Sequence, residues 1–76
     1  MDREQLLARR AGYVEELQDV EESLALLESG TFSMQGRNGD GPWEDRTGQM
    51  RDMARRSQKT YQDIIADIDE RLKELD

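Results

Sequence analysis

Asp63, Asp67 and Glu70 stand at i, i+4 and i+7, a spacing that lays three carboxylates on one face of a helix. Such a face could chelate a hard cation or supply a paired acid and base. Catalytic carboxylates, however, need a concave, water-poor pocket that drives their pKa values apart, and a thin helical chain of 76 residues offers little concavity. A solvated face is expected, and no catalytic, cofactor or metal site is assigned. The stretch Gly36-Arg37-Asn38-Gly39-Asp40-Gly41 invites two further chemistries and satisfies neither. A calcium loop needs an acid where Gly36 stands and a bidentate Glu where Thr47 stands. A phosphate cradle needs a lysine after its glycines, at the head of a helix. The chain has neither cysteine nor histidine, which removes disulfides, thiolate and imidazole chemistry and nearly all zinc sites.

What remains is binding. Arg51, Arg55, Arg56 and Lys59 recur at helical spacing as the one basic patch. It either neutralises acids of the same fold or meets an acidic partner. Met34, Met50 and Met53 gather with Phe32 and Trp43 near the middle of the chain. They make either a small core of the fold or, if an aromatic stays exposed, an anchor for another protein. With Arg37, the candidate partner-binding residues are Phe32, Met34, Arg37, Trp43, Arg51, Arg55 and Arg56.

Two long helices must position them. Asp2 followed by Gln5 is a capping box, and Gly30 is a left-handed helix stop. Between them Leu6, Tyr13, Leu17, Val20, Leu24 and Leu27 recur at three- and four-residue steps, so a helix is expected over about residues 2–29. A second stripe, Met50, Ala54, Ser57, Tyr61, Ile64, Ile68 and Leu75, sets a helix over about residues 46–75, with Asp45 or Thr47 as its cap. A β-hairpin is expected over about residues 30–45. Phe32 and Met34 alternate with polar neighbours, and Asn38-Gly39 suits a two-residue type I′ turn. That turn sets Arg37 against Asp40, Gln35 against Pro42 and Met34 against Trp43.

The same mirror carries into the helices. It pairs Leu27 with Met50, Leu24 with Met53, Val20 with Ser57, Tyr13 with Ile64 and Leu17 with Tyr61. It also brings the acidic run Glu15, Glu16, Asp19, Glu21 and Glu22 alongside Arg55, Arg56 and Lys59, and Arg9 and Arg10 alongside Asp67 and Glu70. A parallel coiled-coil dimer would instead set acid against acid. The fold class is therefore mainly α (α+β), an antiparallel two-helix hairpin with a small central β-hairpin, in one domain of residues 1–76.

Composition bounds the rest. At 34% hydrophobic and 38% charged, 76 residues support a thin two-sided fold that gains from partners. A formal charge of −7 argues against a nucleic-acid-binding surface, because phosphates are held by clustered Lys and Arg. No apolar run approaches the roughly 18 residues of a membrane span. Met1-Asp2-Arg3-Glu4 lacks the form of a secretion signal, so a soluble cytoplasmic product is expected.

Ser29-Gly30, Phe32-Ser33-Met34 and Gly36-Arg37, set between two helices of this length, resemble the gpW-like head-to-tail joining (head-completion) proteins of tailed bacteriophages. The likeness covers nearly the whole chain by layout. It implies an antiparallel helix pair with one small β-hairpin packed at an end, and a structural role in the virion neck. Several copies would form a homo-oligomeric ring below the portal protein, touch neighbouring neck and tail proteins, and pass DNA through the channel without binding it specifically. The chain would be made in the host cytoplasm. Two other classes fit the same residues: a small acidic inhibitor that mimics DNA through Glu15, Glu16, Asp19, Glu21 and Glu22, and a generic helical adaptor.

Overall fold

The computed structural model describes residues 2–30, 35–37 and 39–75. Its elements follow the order α1 (Arg3–Ser29), β1 (Gln35–Gly36), β2 (Glu44–Asp45) and α2 (Thr47–Leu75). The architecture is an antiparallel helical hairpin with a small two-stranded antiparallel sheet between its arms.

Each end of α1 has a local cause. Asp2 Oδ1 accepts from the Gln5 amide at 2.8 Å while Gln5 Oε1 accepts from the Asp2 amide at 3.2 Å, which satisfies two donors the helix leaves open. At the other end Gly30 takes φ 77°, ψ 0°, a left-handed conformation that costs any residue with a Cβ. α2 is started from outside its first turn. Asp45 Oδ1 accepts from the Thr47 amide at 2.9 Å and from the Thr47 hydroxyl at 2.5 Å, and the Arg46 carbonyl accepts the first helical bond from Met50 at 3.0 Å. These bonds favour the ionised carboxylate, chiefly the one from the Thr47 hydroxyl, and hold Asp45 below its ordinary pKa.

That lowering has a consequence in acid. A group whose pKa falls on folding stabilises the fold above its unfolded value, near 3.9, and stops doing so as the carboxyl takes up its proton below that value. Asp45→Asn should therefore melt at a lower temperature than the parent at about pH 6, and the difference should shrink towards about pH 2. A pair of thermal melts at each pH checks it, and a difference that persists in acid would mean that the charge at Asp45 is irrelevant.

The two stripes pack against each other. Leu6, Leu24, Leu27 and Ile68 are the buried apolar side chains, and no polar side chain is buried with them among the described residues. Leu6 and Ile68 meet near the termini, while Leu24 and Leu27 lie towards the sheet. The half-buried rings of Tyr13 and Tyr61 touch between these clusters, with centroids 6.1 Å apart at 40°. Tyr13 was expected opposite Ile64. A tyrosine ring stands far enough from its backbone to reach a partner about one helical turn, ~5.4 Å, along.

The strand register corrects the expected two-residue turn. Gln35 pairs with Asp45 and Gly36 with Glu44, so Arg37 and residues 39–43 lie in the loop, where Gly39 takes φ 55°. Pro42 has no N–H to give a ladder, which leaves Gln35 without its expected partner and moves the pairing out to Glu44 and Asp45. The Arg46 side chain crosses over Gly36, where a Cβ would lie 2.6–2.8 Å from its Nε, Cζ and Cδ and would push that flexible side chain aside. The expected strand positions Phe32 and Met34, and the turn residue Asn38, lie outside the described residues.

The outcome is long and thin. The Cα trace spans 57 × 26 × 15 Å with a radius of gyration of 17.1 Å, against roughly 11 Å for a compact chain of this length. Among the described residues no helix is long and apolar enough to cross a membrane.

Candidate interaction surface

The three carboxylates singled out in the sequence each face a basic side chain. Asp63 accepts from Lys59 at 3.0 Å, Asp67 faces Arg71 at 3.2 Å and Glu70 faces Lys73 at 3.4 Å, each within its own helix. Among the described residues no group of acids could hold a metal ion. The candidate site is accordingly a surface for contact.

It centres on an open groove of about 280 Å³ between the helices at the sheet end. Val20, Ser23 and Leu27 of α1 face Met50, Met53, Ala54 and Ser57 of α2 across its floor, with Glu16 and Asp19 on one rim. Helix periodicity puts these residues in reach of one another. The small side chains Ser23, Ala54 and Ser57 line the groove and leave the space between the arms unfilled, with Ser23 and Ser57 exposed. Met53 is 52% exposed, a flexible apolar side chain held at the surface of its own fold.

Trp43 is a second exposed apolar group. It lies 63% exposed, just ahead of β2, and the Arg37 guanidinium sits over its ring, 4.7 Å from the centroid. That is cation–π distance. Trp43 was expected in the returning strand, set against Met34 by a two-residue turn; the shifted register leaves it in the loop instead. Trp43→Ala should cost less than about 0.5 kcal/mol in a urea titration, as surface changes generally do. A loss near 3 kcal/mol would require a buried ring.

The basic residues divide. Arg55 donates to Glu28 Oε1 through Nη2 at 2.6 Å and through Nε at 3.1 Å. Arg51 keeps its Nε–H shielded from solvent with no acceptor among the described residues, which costs free energy until one arrives. Arg56 is exposed and its side chain makes no salt bridge among the described residues. The expected neutralisation of the acidic run is absent. Glu15, Glu16, Asp19, Glu21 and Glu22 meet no basic side chain among the described residues. Arg55 reaches Glu28, nearer the sheet, and Lys59 is taken by Asp63 one turn along its own helix. Towards the termini Arg10 donates to Asp69 at 2.7 Å, a bond that raises the guanidinium pKa further.

Of the residues singled out in the sequence, Met50 and Met53 line the groove, Arg37 and Trp43 form the loop pair, and Arg51, Arg55 and Arg56 follow along the start of α2. Phe32 and Met34 lie outside the described residues. Sequence reasoning missed Glu16, Asp19 and Val20 as groove residues. Its available signal was Ser57, a small polar residue inside an apolar stripe. Comparison with protein-family models, with curated proteins and with solved structures finds no match.

Proposed function

We propose that this chain is a non-enzymatic assembly component, and that its assembly is the neck of a tailed bacteriophage. Copies would form a ring below the portal, extend the DNA channel and present a platform to the next neck or tail protein. The observation that carries the assembly reading is the open methionine groove together with an exposed Arg37–Trp43 pair. A fold that keeps such apolar groups at its surface gains by covering them with neighbours. The virion location rests on the likeness of Ser29-Gly30, Phe32-Ser33-Met34 and Gly36-Arg37 to the head-completion family. The carboxylates from Glu15 to Glu22, which meet no basic side chain among the described residues, suit a conduit, since they repel passing phosphates. Mixing the chain with its portal and imaging the complex is the direct test. A ring of copies below the portal is expected, whereas a chain absent from purified particles and monomeric beside the portal would end the reading.

One alternative has an observation of its own. The five carboxylates from Glu15 to Glu22 meet no basic side chain among the described residues, as an inhibitor that mimics DNA would present them to a basic groove. Tight, salt-sensitive binding to a basic nuclease or repressor, with no response to a portal, would favour it.

A further inference from the structure

We infer that the loop of one copy, Trp43 with Arg37 stacked upon it, seats in the groove between the helices of a second copy. The indole lies there against Met50 and Met53, and the guanidinium faces Glu16 and Asp19. The inference deepens the assembly reading and rests on it, but not on the virion location.

Size, chemistry, charge and area support it separately. An apolar cavity of about 150 Å³ admits benzene, so the 280 Å³ groove has room for an indole. Sulfur against an aromatic ring is a favourable contact, and an exposed tryptophan is the side chain most apt to anchor an interface. The charges match across the contact, because the loop carries a cation on its anchor and the groove is lined by two anions, Glu16 and Asp19, that meet no basic side chain among the described residues. Finally, the chain exposes 5826 Å², whereas a compact protein of its mass exposes about 4,800 Å². The excess of roughly 1,000 Å² is comparable to the ~800 Å² that one partner contributes to a standard interface. Loop and groove are different patches, so one contact repeats from copy to copy, as a closed ring requires.

Trp43 is the chain's single tryptophan, which makes its emission a direct report on the contact. The full chain is titrated from micromolar to about 1 mM at low salt, with its mass followed by sedimentation. Emission should shift to the blue as the mass rises, and both changes should weaken with added salt. The double variant Glu16→Lys, Asp19→Lys and the variant Arg37→Glu should each lose at least about tenfold in self-association, because each sets like charges together. Mixing these two variants should restore association, which separates a broken contact from a broken fold. Association with unshifted emission, or association indifferent to the rim reversal, overturns this contact and leaves the assembly reading standing. A chain monomeric at about 1 mM also overturns it, and recruitment by the portal then judges the assembly reading alone.

Discussion

Ile68→Ala should lower the unfolding free energy by about 2–3 kcal/mol, among the largest losses expected of a single truncation in the described residues. Ile68 is 5% exposed and shares a small cleft with Leu6, which is 4% exposed, so the change removes one half of the deepest contact between the arms. Truncating a buried isoleucine costs about 2–5 kcal/mol, and the lower half of that range applies here for two reasons. The cleft opens to solvent between thin helices, so the site relaxes more easily than an enclosed core, and alanine recovers a few tenths of a kcal/mol in helix propensity. Against a total of roughly 4–11 kcal/mol for a chain this long, the loss takes a large share of the stability. Leu75, 52% exposed on the same helix, supplies the control, and Leu75→Ala should cost under about 0.5 kcal/mol. Urea unfolding followed by helicity measures both. Equal costs at the two positions would mean that the helices do not pack through Leu6 and Ile68.

The same contact shows what was legible beforehand and what was not. The stripe that begins at Leu6 and the one that contains Ile68 both have helical spacing, and periodicity of that kind is written locally. So are the Asp2–Gln5 box and the glycine that ends α1, because each depends on residues within one turn. Antiparallel pairing followed from two stripes joined by a chain reversal. The failures arose where two local signals competed. Asn38-Gly39 calls for a tight turn, but Pro42 refuses the ladder that this turn would build, and the pairing moves outward by three residues. That move carries Trp43 from a strand face to an exposed loop, where Arg37 covers it. Charge was misjudged for a related reason. Long flexible side chains choose among several partners at similar free energy, so Lys59 takes Asp63 within its own helix, Arg55 takes Glu28, and the run from Glu15 to Glu22 meets no basic side chain among the described residues. The groove was hidden because periodicity counts positions without weighing volume, and Ser57 holds a position of the apolar stripe while filling little of the space there.

That last point yields the second large effect. Ser57→Leu should raise the stability of the isolated chain by about 1–1.5 kcal/mol and should abolish the self-association described above. Ser57 lines the groove opposite Val20, and full burial of a leucine side chain contributes about 1.5–3 kcal/mol. Here one side of the new side chain faces solvent, so about half of that is expected, together with a small gain because leucine is a better helix former than serine. The added carbons would occupy the space that the inferred contact gives to a neighbour's indole. Stability and association should therefore move in opposite directions on one substitution, as happens when a site is kept open at some cost to the fold. Loss of stability would show that the groove cannot take a leucine at this position. A more stable chain that still associates, with Trp43 emission shifting as in the parent, would show that the neighbour docks elsewhere.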